Sequence, residues 1–129
     1  MNLGLKTTLP ISFADARMIV IEALKTEGFG VLTDINVKET IKQKLGADFM
    51  EYEILGACNP PLAHKALSTN PDVGLLLPCN VILYSDGSGT TVNIVDPDSM
   101  VAMMPGAGLE PVAAEAKARL SRVLESIQK

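Results

Sequence analysis

The sequence predicts an α+β fold in which one largely antiparallel sheet carries helices on one face. Three observations predict it. Segments of strand and helix character follow in the order β-α-β-(α)-β-α-β-β-α. The last two strands adjoin across the short turn D86-G-S-G89, which sets antiparallel pairing. The chain is 47% apolar but only 4% aromatic, with no Trp, so aliphatic side chains and Met must close the helices onto the sheet. At 129 residues it is a single domain, residues 1–129, long enough to bury its own core.

Residues 3–9 (LGLKTTL) read as the first strand, ending at Pro10. Ser12 is an N-cap with Asp15 three residues on, an acidic variant of the capping box. Phe13, Ala16, Val20 and Leu24 then share one helical face with Ile19 and Ala23 beside them, and Glu27-Gly28 supplies the stop. Residues 29–35 form a second strand, and Val37 to Leu45 a polar surface helix ended by Gly46. Residues 49–57 alternate as a half-buried strand, with Phe49, Glu51 and Glu53 on one side and Met50, Tyr52 and Ile54 on the other. The acidic pair reads as an ordinary wet face.

Asn59 is a good N-cap, and Pro60 suits a first helical position because its missing N–H would be unpaired there anyway. Leu62, Ala63, Ala66 and Leu67 make the buried stripe of that helix, which Asn70-Pro71 closes. Residues 74–84 and 90–96 are the hairpin strands, and Pro97 to Gly108 a long connection holding Met100, Met103 and Met104. A last helix from about Leu109 buries Val112, Ala116, Leu120, Val123 and Ile127.

The formal net charge is −4, and no basic stripe interleaved with aromatics is present. That sign disfavours nucleic acid and an anionic membrane surface as partners. MNLGLKTTLP lacks the apolar core of a secretory signal, which makes the cytoplasm, where thiols stay reduced, the expected location. The sheet's second face needs a cover, and its aliphatic content makes a homodimer the expected partner.

The chemistry-bearing residues are few and close in sequence. The chain has two cysteines and one histidine: Cys58 and His64 in G56-A-C-N-P-P-L-A-H64, and Cys79 in P78-C-N80. Cys58 falls at a strand-to-helix corner, where the helix dipole lowers a thiol pKa, although Pro60 and Pro61 delete two of the first N–H donors. If the turn is Asp86 to Gly89, Ser85 faces Thr90, Pro78 faces Pro97, and Cys79 lies opposite Asp96. A carboxylate there would raise the Cys79 thiol, so one low and one high thiol are expected.

Cys58, His64 and Cys79 offer three ligands for a soft or borderline ion, zinc or copper, with Met103 or Met104 as a thioether. The C-x5-H…C spacing matches no standard zinc pattern. Asn59, Asn80 and Asp96 flank the same positions as ligand-binding groups. The bland alternative is equally open: buried cysteine packs as a small hydrophobe, a helix-flank histidine is solvated, and the methionines pack. No G-x-S-x-G, H-E-x-x-H or phosphate-binding glycine spacing is present.

G56-A-C-N-P-P61, G74-L-L-L-P-C-N-V81 and K6-T-T-L-P-I-S-F-A-D-A16 together resemble the domain-of-unknown-function 302 family over nearly the whole chain. The resemblance implies a curved antiparallel sheet carrying helices, similar to the TATA-box-binding-protein-like class, associated as a homodimer. It implies no function, and the fold likeness does not carry DNA binding. Three readings follow. The first is a homodimer whose pocket at Cys58, His64, Cys79 and Asp96 binds a small ligand or a soft metal, with residues 100–108 as its lid. The second is a thiol-redox enzyme in which Cys58 (the attacking thiol) and Cys79 (the resolving one) work with His64. The third is a structural or interaction module without chemistry.

Overall fold

The computed structural model describes residues 3–129. Five strands, β1 (Gly4–Leu9), β2 (Gly30–Asn36), β3 (Glu51–Cys58), β4 (Cys79–Ser85) and β5 (Thr90–Val95), form one open sheet in the order β1-β5-β4-β3-β2. Every neighbouring pair is antiparallel. Helices α1 (Phe13–Thr26) and α5 (Glu110–Ile127) pack across one face, while α2 (Val37–Leu45) joins β2 to β3. Helices α3 (Pro60–Thr69) and α4 (Pro97–Met103) stand at the end of the sheet where β3 stops and β4 begins. Among the described residues no helix is long and apolar enough to cross a membrane.

Local chemistry sets the boundaries of these elements. Ser12 Oγ accepts from the Asp15 N–H at 3.1 Å and starts α1, as the capping pattern predicts. Gly28, at φ +82°, turns the chain into β2. The core then follows from the periodicities. Ala16, Val20, Ala23 and Leu24 of α1, with Leu120, Val123 and Ile127 of α5, pack on Leu55, Ala57, Val81, Leu83, Val92 and Ile94 of the sheet. Each fully buried Leu or Val among them contributes roughly 1.5–3 kcal/mol relative to exposure.

The hairpin register is as the turn length predicts. Tyr84 pairs with Thr91, Leu83 with Val92 and Ile82 with Asn93. Three expectations are corrected. Residues 71–76 are a 3₁₀ turn, not the start of a strand, because Asn70 Oδ1 accepts from the Asp72 N–H and caps it; the apolar run Leu75–Leu77 imitates a strand, yet Leu75 is 89% exposed. Residues 97–103 are a helix and not an open connection, since Asp96-Pro97 is itself a cap followed by a first-turn proline.

The third correction concerns Glu53, which is not on a wet face. It shares the helix-facing side with Leu55 and Ala57, and its side chain is only 13% exposed, with Arg17 Nε of α1 donating to it at 2.8 Å. Burial, with Asp34 nearby, holds the Glu53 carboxyl above its usual range despite the opposing pull of Arg17. The alternation of β3 makes its opposite side, Tyr52 and Ile54, the outer face. There Tyr52 stacks on Tyr84 with ring centroids 5.6 Å apart, and Ile54 pairs with Ile35 and Ile82.

Candidate functional site

Strand β3 runs out at Ala57-Cys58, and Asn59 turns the chain into α3. Asn59 is 7% exposed. Its Oδ1 accepts from the Leu62 N–H at 3.2 Å, and its Nδ2 donates to the Glu27 carbonyl at 3.4 Å. Arg119 Nη1 of α5 donates to the same carbonyl at 3.1 Å. Asn59 thereby ties the β3–α3 corner to the α1–β2 turn, and Arg119 ties α5 to the same carbonyl. Beside it, Cys79 opens β4 and pairs with Ala57, the neighbour of Cys58.

Both cysteines are free, and both line one cavity of ≈330 Å³. Its walls are Leu62, Ala63, Ala66 and Leu67 of α3, Val112, Ala113 and Ala116 of α5, and Val73, Leu109 and Met100. Its remaining lining includes Phe29, Ala57, Pro78 and Pro97. Thr33 and Asn59 are the polar side chains among the lining residues, and the thiols are the soft ones. This cavity explains why the α3 stripe is less buried than its periodicity implies: Leu62 and Ala63 are half-buried because they face it.

Gly56 shapes one edge. A Cβ there would meet Thr33 Oγ1 at 2.1 Å and Pro78 Cγ at 2.7 Å, so the bare backbone is what lets those two lining residues close together. A bulge between Val31 and Thr33 re-aims the strand at this point.

Burial pushes the Cys79 thiol up to about 11, with the nearby charge of Cys58 adding to it. The direction matches the sequence expectation and the cause does not. Asp96 is not the carboxylate responsible, because it is engaged elsewhere. Its Oδ1 accepts from the Asp98 N–H at 3.0 Å as the cap of α4, and Lys117 Nζ donates to Oδ2 at 3.3 Å.

The structure therefore brings Cys58, Asn59 and Cys79 together and leaves the other sequence candidates outside. His64 is exposed on α3; two positions before buried Ala66, it lies roughly 200° around the helix from it. Met104 packs in a satellite core with Val73 and Leu109. Met103 is 67% exposed, on a shallow surface depression that also includes Asn80. Asn80 points to the outer sheet face, as its pairing opposite Gly56 requires. Among the described residues no three His, Cys, Asp or Glu side chains gather to hold a metal, so the Cys58–His64–Cys79 trio for zinc or copper is not assembled. Met100 is the methionine that does line the cavity. The residues missed from sequence are Phe29 and the first turns of α5. Their only signal was the small-residue spacing of Ala113 and Ala116.

The family model described as "Domain of unknown function DUF302" matches residues 5–127. The chain belongs to this family. The DUF302 fold is seen again in the crystal structure of an uncharacterized conserved protein DUF302 from Bacillus stearothermophilus, at 31% identity and a TM-score of 0.89, covering 98% of each chain. That relative is itself uncharacterized, so the likeness carries the DUF302 fold and no activity. No protein of curated function matches the sequence.

Proposed function

We propose that the protein binds a small, uncharged, hydrocarbon-rich molecule in the cavity between α3, α5 and the ends of β3 and β4. The observation that carries this reading is the lining itself: ≈330 Å³ walled by aliphatic side chains, with two free thiols and almost no hydrogen-bonding groups. An apolar cavity of about 150 Å³ is enough for benzene, so this one suits a ligand of roughly 10–14 non-hydrogen atoms. At about 0.3–0.5 kcal/mol per atom the ligand gains about 3–7 kcal/mol, a Kd between roughly 7 μM and 6 mM. Free thiols suit a reducing compartment, the cytoplasm.

The test is fluorescence titration with 1-aminonaphthalene, a neutral aromatic probe whose size falls within that range. Ala113→Phe, which fills the space from the α5 wall, is expected to abolish probe binding while leaving the circular dichroism spectrum unchanged. Probe binding that survives in folded Ala113→Phe would refute the site.

A second copy of the chain completes the reading as the cover for the outer sheet face. One observation favours it: Ile35, Ile54 and Ile82 form a continuous apolar row there. Sedimentation equilibrium is expected to give twice the 13.7 kDa chain mass, and Ile82→Lys to halve it. A wild-type monomer at micromolar concentration would remove the second copy.

A further inference from the structure

The residues that line the cavity differ sharply in exposure. Ala57, Ala66, Val73, Leu109 and Ala113 are at most 4% exposed. Leu32 is 69% and Leu67 41% exposed, and Thr33 beside Leu32 is exposed as well. The cavity therefore has a sealed interior and a mouth between the bulged part of β2 and α3.

Interior and mouth offer a polar atom different things. Inside, Asn59 is the polar side chain, and both ends of its amide are spent: Oδ1 accepts from the Leu62 N–H and Nδ2 donates to the Glu27 carbonyl. The thiols of Cys58 and Cys79 are weak donors and weak acceptors. A ligand hydroxyl or carbonyl pushed inside would lose its water and gain no matching partner. At the mouth, water stays within reach and Thr33 adds a hydroxyl. Among the described residues no Lys, Arg or His lines the cavity, so a carboxylate or phosphate head would find no cation there.

We infer that the ligand is an alkyl chain ending in one uncharged polar group, a primary alkanol being the simplest case, and that it enters tail first and keeps its polar end at Leu32, Thr33 and Leu67. The inference rests on the proposed apolar site and assigns its ligand class and binding direction. Each CH₂ drawn past the rim adds about fourfold to affinity until the interior is full. Leu32 and Leu67 gain cover from the carbons just behind the polar end. A second polar group is tolerated next to the first, where it too stays wet, and is costly at the far end of the chain.

The experiment compares two isomers, 1,2-octanediol and 1,8-octanediol, as competitors of 1-aminonaphthalene on the wild-type protein. The first carries both hydroxyls at one end, and the second must take one of them into the interior. The expected result is displacement by 1,2-octanediol at about 20-fold lower concentration than by 1,8-octanediol. Equal potency of the isomers, or a more potent 1,8-isomer, would overturn the binding direction. Ala66→Leu takes up interior space and is expected to weaken 1-octanol about tenfold with an unchanged circular dichroism spectrum. Undiminished 1-octanol binding in the folded variant would count equally against the inference, and the isomer comparison decides it alone if the variant does not fold. Direct titration with 1-aminonaphthalene separates the two claims. Probe binding with equal isomers removes only the direction, whereas absence of probe binding removes the apolar site with it.

Discussion

Replacing Gly56 with alanine tests how the sheet leaves room for the cavity. The substitution adds one methyl group to a fully buried β3 position whose backbone φ is ordinary for an L residue, so no backbone strain is introduced. Removing a glycine from a strand would by itself stabilise by about 0.4–1 kcal/mol through the unfolded chain. The new Cβ, however, meets Thr33 Oγ1 at 2.1 Å and Pro78 Cγ at 2.7 Å. Thr33 belongs to the neighbouring strand and Pro78 to the rigid entry into β4, so relief requires the backbones to part. Overpacking of that kind costs about 1–3 kcal/mol and outweighs the entropic gain. In urea denaturation, Gly56→Ala is expected to lower the midpoint with little change in slope, equivalent to a Tm fall of roughly 3–12 °C. Probe affinity should weaken in parallel, because both displaced residues line the cavity. In a Thr33→Ala background the closest contact is gone, and the cost of Gly56→Ala should drop by about 1 kcal/mol. A Gly56→Ala protein within about 0.5 kcal/mol of wild type in both backgrounds would refute the reasoning.

Three further outcomes are expected. Asn59→Ala removes a helix cap and the tie to the Glu27 carbonyl, so stability should fall by about 1–3 kcal/mol in chemical denaturation. For Glu53, burial raises the folded-state pKa above the ordinary value of 4.5. The folded protein then binds this proton more tightly than the unfolded chain, so the contribution is present below pH 4.5 and is lost as pH rises through the folded value. The stability of wild type relative to Glu53→Gln should accordingly decline from pH 4.5 upward, and a difference that grows instead would contradict it. Alkylation of Cys79 by iodoacetamide in native Cys58→Ser should climb about tenfold per pH unit from pH 7 to 9 without levelling. The same thiol in denaturant should level near the ordinary value of 9.0.

Much of the fold was legible because one periodicity served each element. The capping pair Ser12 and Asp15, the glycine stops and the hairpin turn set α1 and the β4–β5 register directly. The register in turn put Cys79 at a strand end, level with the end of β3, which is why the two cysteines could be expected to share a site. Errors arose where one signal imitated another. Leu75–Leu77 has strand composition but follows an asparagine cap, and Asp96-Pro97 has the form of a helix start inside an otherwise loop-like segment. Glu53 reads as outward-facing because a carboxylate favours water, and nothing in β3 itself announces Arg17, which lies 36 residues earlier. The cavity was illegible for a simpler reason. It exists where Ala63, Ala66, Ala113 and Ala116 are small, and missing volume becomes visible only when two helices from distant parts of the chain face one another.

The irregularity between Val31 and Thr33 has a bearing on colloidal behaviour as well as on the site. Strand β2 is a terminal strand of an open sheet, and such a border exposes a ladder of free amide and carbonyl groups to any passing chain. A one-residue insertion there kinks the ladder, so an incoming segment cannot zip along its full length. The opposite border, β1, carries exposed Lys6, whose charge would be stranded in any edge-to-edge stack. Both rims of the sheet thus oppose edge-to-edge stacking, and straightening β2 by deleting Leu32 is the change that would remove one of those barriers.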